Sequence, residues 1–177
     1  MYNILSITSY SGVGKTTLIE GVVKELTNLG LNIGCIKHTC HDFEIDRPNK
    51  DSMRYRNSGA SSVSILSENT FVFVEKTEQE KSLYDIINLY KNTDLIIIEG
   101  FKGYKFKKIE ITRSILYTKL ISDTSDLIGI VSDVNYDIGV KQFKLGDYTS
   151  VAEHIKYCLD TKKLELSEEI LKKIIYQ

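Results

Sequence analysis

Ser9-Tyr10-Ser11-Gly12-Val13-Gly14-Lys15-Thr16-Thr17 is the stretch from which the fold is read. It follows a segment, residues 3–8, that reads as a short strand. It opens a segment in which Leu18, Ile19, Val22, Val23, Leu26 and Leu29 recur at helical spacing. Strand, glycine-rich turn, lysine, hydroxyl residue and helix, in that order, are the context a phosphate-binding loop requires. Backbone N–H groups of such a turn and of the helix start wrap an anion, and the glycines let the chain approach it closely. Ser11, Gly12, Val13, Gly14, Lys15, Thr16 and Thr17 are therefore the candidate nucleotide-binding residues. Lys15 is expected to bridge the terminal phosphates, in a catalytic role, and the Thr16 hydroxyl to ligate Mg²⁺. The strict pattern G-x-x-x-x-G-K-[ST] has glycine where this chain has Ser9.

Working outward, Gly30 stands where a left-handed helix end is wanted, and residues 32–37 read as a second strand. A strand–helix–strand unit implies a parallel pair with a right-handed crossover. Asp51 or Ser52 is expected to cap a short helix ending at Gly59. Residues 62–66 and 70–75 flank Ser67-Glu68-Asn69 as a hairpin, which would make the sheet mixed. Leu83, Ile86, Ile87 and Tyr90 mark a helix, and the unbroken aliphatic run in residues 95–99 predicts a strand buried on both faces. Residues 108–112 and 127–132 are further strands, and Val151, Ile155, Cys158 and Leu159 share one helical face. The expected fold class is α/β, a P-loop NTPase fold with a mainly parallel sheet, an antiparallel hairpin and helices on both faces. Residues 1–160 are expected to form the nucleotide-binding domain. Residues 161–177 form a C-terminal helical extension whose helix, over 167–176, docks on its own domain or on a partner.

Composition excludes several classes. In 177 residues the net charge is −1, so no basic excess points to nucleic acid or to an anionic membrane surface. Cys35, Cys40 and Cys158 are an odd count without a disulfide pattern, which favours a reducing, cytoplasmic setting. No basic residue precedes Lys15, as a signal peptide would require, and no aliphatic run approaches the length of a membrane span.

Two carboxylates are expected to complete a metal site. Phosphate-loop proteins place an acidic residue at the end of a second buried strand to hold Mg²⁺, and Glu99 stands there, as a catalytic and metal-binding candidate. Ligands in open α/β sheets gather at the carboxyl ends of the strands, so Glu99 should face the loop and Gly100 should let backbone approach the γ-phosphate. Asp51 is the second metal candidate, with Asp46 as its rival, and Lys37 is an extra phosphate contact. His38, Cys40 and His41 have the donor chemistry for zinc or nickel. Lys102, Lys105, Lys107 and Lys108 interleave with Phe101, Tyr104 and Phe106 in a basic, aromatic stretch, either a solvated loop or a contact for a phosphate-bearing substrate or partner.

The phosphate loop, Ile36-Lys37-His38-Thr39 with His41-Asp42-Phe43, Asp46-Arg47-Pro48-Asn49-Lys50-Asp51-Ser52, the segment from Arg56 to Ala60, Glu99-Gly100-Phe101-Lys102 and the segment from Lys108-Ile109-Glu110 to Arg113 follow one another in this order. Over residues 3–159 the chain resembles the molybdopterin-guanine dinucleotide biosynthesis protein B family, the GTP-binding adapter of molybdenum-cofactor guanylation. The resemblance implies a weakly hydrolysing homodimer that binds GTP and Mg²⁺. It also implies a molybdenum cofactor guanylyltransferase as partner, and a molybdopterin-type cofactor near the site. Acidic residues after the second strand in the wider class favour Asp51. An Asn-Lys-x-Asp guanine motif is missing from the sequence, and Asp133, just after the strand over 127–132, is the candidate for base recognition. An ATP-dependent phosphotransferase or ligase and a metallochaperone GTPase are the alternatives.

Overall fold

The computed structural model describes residues 1–39, 43 and 50–176. They divide into two compact units, Met1–His38 with Leu83–Gln177, and Thr39–Ser82. The boundary differs from the one expected at residue 160. The terminal helix docks on its own domain, one of the two outcomes expected for it, with Leu164 and Leu171 buried in the cores of the first unit.

In the first unit the elements run β1 (Tyr2–Thr8), α1 (Lys15–Asn28), β2 (Ile33–Lys37), then, after the second unit, α3 (Leu83–Ile87), β5 (Leu95–Glu99), β6 (Lys108–Ile111), β7 (Leu127–Val131), β8 (Gln142–Phe143), α4 (Tyr148–Asp160), β9 (Glu165–Leu166) and α5 (Glu168–Tyr176). Among the described residues, seven strands form one sheet in the order β2-β5-β1-β6-β7-β8. These six are parallel along that path, and β9 pairs antiparallel with the amino end of β1, Tyr2 opposite Leu166. The expected pairing of the strands flanking α1 is corrected here. β1 and β2 do not touch, because β5 lies between them. Its aliphatic run, Leu95 to Ile98, is fully buried, as suits a strand with neighbours on both edges and cover on both faces.

Alternation along the strands sends side chains to two cores. Leu5, Ile7, Leu95 and Ile97 point to one face, where they meet Leu18, Val22 and Leu26 of α1 and Val151, Ile155 and Cys158 of α4. Ile4, Ile96 and Ile98 point to the other, where Leu83 and Ile87 of α3, Phe106 and Leu171 of α5 cover them. α1 ends where Gly30, at φ +82°, donates to Thr27 O while Leu31 N donates to Leu26 O. Only glycine takes that left-handed turn without strain. Gly21 sits where α1 meets α4, and a methyl group there would overlap the Tyr148 ring. Ser167 caps α5 by accepting the N–H of Ile170 at 3.2 Å.

The second unit contains α2 (Asp51–Asn57) and the hairpin β3 (Ser62–Leu66) and β4 (Phe71–Glu75). The hairpin is a separate two-stranded sheet rather than part of the main one. Asp51 does not cap α2. Lys50 occupies the cap position in extended backbone, and Asp51 is already helical. Leu66, Phe71 and Phe73 are exposed on this hairpin.

If α5 is part of the folded unit, truncating its buried anchor must cost what a core truncation costs. Leu171→Ala is expected to lower stability by about 2–5 kcal/mol in urea unfolding, whereas Ile170→Ala, on the exposed side, should stay within about 0.5 kcal/mol.

Candidate functional site

β1 lies in the middle of the sheet, so the turn leaving its carboxyl end is held from below and from both sides. Val13 is buried and anchors the turn in the core, while Gly12 and Gly14 take φ +77° and +112°. Gly14 O accepts the first helical bond, from Leu18 N at 3.0 Å, and among the described residues no side chain caps α1. The N–H groups of the first helical turn therefore have no partner inside the helix and carry its positive end. Ser9, the departure from the strict pattern, is fully buried. Its hydroxyl donates to Tyr10 O at 2.6 Å and accepts from Lys15 Nζ at 3.1 Å. Lys15 also donates to Tyr10 O at 3.3 Å, so the hydroxyl holds the lysine folded over the turn. Burial pushes the Lys15 ammonium below its ordinary pKa. Lys102 and Lys37 push the same way, and Glu99 opposes them.

Register brings the second group alongside. Ile7 lies opposite Glu99, and Glu99 opposite Lys37, all at the carboxyl ends of their strands. Lys37 Nζ is 3.7 Å from Glu99 Oε2, with the Lys37 side chain 64% exposed and that of Glu99 16%. Gly100 turns at φ +108°, and a Cβ there would lie 3.0 Å from His38 Cβ. His38 N donates to Glu99 O at 2.9 Å, and its ring lies 4.4 Å from that of Phe101. His38 thus packs against the turn after β5. Cys40, His41 and Asp46, the other candidates of that segment, lie outside the described residues. Among the described residues, no group of three His, Cys, Asp or Glu side chains is placed to hold a metal ion.

The structure therefore brings together the residues from Ser11 to Thr17 with Lys37, Glu99 and Gly100. Asp51 belongs to the second unit, where it pairs with Arg54 at 3.4 Å. Asp133 follows β7, and its carboxylate accepts both the backbone N–H and the hydroxyl of Ser114, at 2.7 and 2.8 Å. Those bonds hold its pKa below the usual carboxylate range, helped by the Arg113 charge. Asp133 also lines a cavity of about 570 Å³ with Ser132, Asn135, Gln142, Phe143 and Lys144, at the ends of β7 and β8.

One expectation for the basic stretch is corrected. Lys108 is only 3% exposed, paired with Asp126 at 2.9 Å and donating to Tyr104 O and Phe106 O, while the Phe106 ring fills the core. Lys108 is a buried structural cation, and Lys102, Lys105 and Lys107 are the exposed ones. The sequence reading also missed Arg113. It stands just past β6, beside the loop, and only the β1–β6 pairing reveals that it does.

The sequence profile described as molybdopterin guanine dinucleotide synthesis protein B matches residues 4–133. The chain belongs to this family. A molybdopterin-guanine dinucleotide biosynthesis adapter protein of Escherichia coli is 31% identical over 163 residues, which span 88% of this chain and 92% of that one. The Haemophilus influenzae adapter protein of the same name is 32% identical over 139 residues, 77% of each chain. The crystal structure of molybdopterin-guanine biosynthesis protein B superposes with a TM-score of 0.68 at 29% identity, covering 89% of this chain and 99% of that one. Family membership accounts for the α/β sheet with its loop at the carboxyl end of β1, and the match spans the loop, Lys37, Glu99, Gly100 and Asp133.

Lys15 is half-buried over the turn, outside the two hydrophobic cores. Because burial lowers its folded pKa below the unfolded value, the unfolded chain binds more protons between the two values, and stability rises with pH through that window. Lys15→Met is expected to keep or slightly raise the melting temperature and to lack this alkaline rise. Thermal melts across alkaline pH check it, and a loss of several degrees would give Lys15 a structural role instead.

Proposed function

We propose that this chain is a GTP-binding adapter in molybdopterin guanine dinucleotide biosynthesis, with slow GTP hydrolysis, acting on the cytoplasmic enzyme that transfers GMP to molybdopterin. The observation that carries the reading is the uncapped amino end of α1, with Lys15 folded over a glycine turn beside it. Unpaired N–H groups, a helix dipole and a partly desolvated lysine fit an oligophosphate, not a neutral ligand. Guanine is favoured by the names of the relatives, which concern a guanine dinucleotide. The cavity bordered by Asp133, Asn135 and Gln142 has polar groups for a base, and a carboxylate already accepting two bonds keeps lone pairs to accept more.

Thr16 and Glu99 offer the hard oxygen donors that Mg²⁺ prefers. The metal would neutralise phosphate charge. Lys15 and the loop N–H groups would bind and orient the phosphates. Fast phosphoryl transfer needs additional stabilisation of transition-state charge, so the isolated chain should turn over slowly and act through its complex with the guanylyltransferase. Exposed Lys102, Lys105 and Lys107 suit a phosphate-bearing pterin or an acidic partner surface.

Side-by-side calorimetry with Mg-GTP and Mg-ATP tests the reading. GTP should bind in preference, and Lys15→Ala should weaken it at least about tenfold, since a charge-assisted phosphate contact is worth about 1.5–3 kcal/mol. Glu99→Gln should reduce metal-dependent hydrolysis more than metal-free binding. Tight ATP binding without GTP binding, or guanylation equally efficient with and without the chain, would overturn it.

We also assign a homodimer, supported by the apolar side chains that the hairpin leaves exposed. Phe71 and Phe73 alternate along β4 and so lie on one face of it. Sedimentation velocity should show a dimer, and the double change Phe71→Asp with Phe73→Asp should shift it to monomer without unfolding the first unit.

A further inference from the structure

We propose that Arg113 is a second cation of the phosphate site, reaching the polyphosphate across Gly14. The inference rests on the reading of residues 9–17 as a phosphate loop and adds a residue that no motif assigns to it.

β1 and β6 are parallel neighbours, with Thr8 opposite Glu110, so the chain leaving β6 emerges beside the chain leaving β1. Arg113 is the second residue past β6, and its side chain crosses to the loop. A Cβ at Gly14 would lie 3.2 Å from Arg113 Nη2 and 3.9 Å from its Nε and Cζ. The guanidinium therefore rests on the bare backbone of Gly14, the residue from which α1 starts. Glycine at 14 serves two needs, the positive φ and room for this cation.

Three features point from this contact to an anion. Arg113 Nε is buried and has no hydrogen-bond partner among the described residues, an arrangement unfavourable for a charged donor unless an acceptor arrives. Among the described residues, no carboxylate lies within ion-pair distance of Arg113, and the nearby Asp133 oxygens are engaged by Ser114. The turn carrying Arg113 is also braced. Arg113 N donates to Tyr117 O at 3.2 Å, and Tyr117 N to Arg113 O at 2.9 Å. The Tyr117 ring stacks on that of Tyr10, inside the phosphate loop, with centroids 4.3 Å apart. Asp133 clamps the next residue by two bonds, a positioning task at this turn.

A planar guanidinium held in this way matches phosphate oxygens by two parallel bonds, which a lysine at the same place would not. The ligand class is an oligophosphate chain, as in a nucleoside triphosphate. Lys15 and Arg113 would approach it from the two sides of the turn, one held by Ser9 and the other by the turn after β6.

The test titrates inorganic tripolyphosphate and GTP into the wild-type chain, Lys15→Ala, Arg113→Ala and Arg113→Gln at low ionic strength, with apo melting temperatures measured in parallel. Arg113→Ala is expected to weaken both ligands by about tenfold or more, with the apo melting temperature unchanged or raised because an unpaired buried donor is removed. Arg113→Gln keeps the stem against Gly14 and removes the charge, and it should lose affinity similarly even if the alanine variant folds poorly. Wild-type-like affinity in Arg113→Gln, while Lys15→Ala has lost binding, would overturn the inference and leave the phosphate loop standing. Absence of binding by the wild-type chain would overturn both.

Discussion

Among the described residues no side chain caps the amino end of α1, and the rest of the site is arranged around that fact. Gly14 takes a backbone conformation that starts the helix without lending it a side-chain acceptor, so several N–H groups are left facing outward. A turn built this way has little internal stability and must be held from outside. Val13 in the core, the buried Ser9 hydroxyl under Lys15, and the central place of β1 between β5 and β6 supply that support. The positive end of the helix is thereby fixed at the carboxyl edge of the sheet, where the other strands also end.

The two flanks of the loop differ in charge. On the β5 side stand Glu99 and Lys37, paired loosely and partly open to water, with Gly100 and His38 packed behind them. On the β6 side the contact is with arginine and tyrosine, and the ring stack ties the loop to the neighbouring turn. The lowered pKa of Lys15 comes first from its burial and then from the Lys102 charge near it. Bringing a multiply charged anion to it relieves repulsion among these cations as well as forming new bonds.

Much of this was legible in the sequence wherever the signal is local. The loop, α1 and its end at Gly30, and the strand Leu95–Glu99 follow from period, glycine placement and an unbroken aliphatic run. Strand order is not local, and there the reading failed. Nothing between Lys15 and Lys37 says that β5 will enter between β1 and β2. β8 and β9 are two residues each, too short to carry a period. The charges misread or missed, Lys108 and Arg113, depend on which strands are neighbours. One is buried against Asp126 and the other laid across Gly14. Asp51 looked like a cap because aspartate favours that position, yet the helix starts one residue earlier, from Lys50.

The pairing of β1 has a consequence for how the protein is made. Its partners β5, β6 and β9 all follow it at long range, from Ile96 opposite Ile4 to Glu165 opposite Asn3. A strand synthesised before every one of its neighbours cannot be docked until they have left the ribosome, and loop closures of that span are slow. During translation the glycine turn therefore hangs on an unpaired strand. The turn should take its folded form only after β5 and β6 have been made, so it is a late product of folding rather than a nucleus for it.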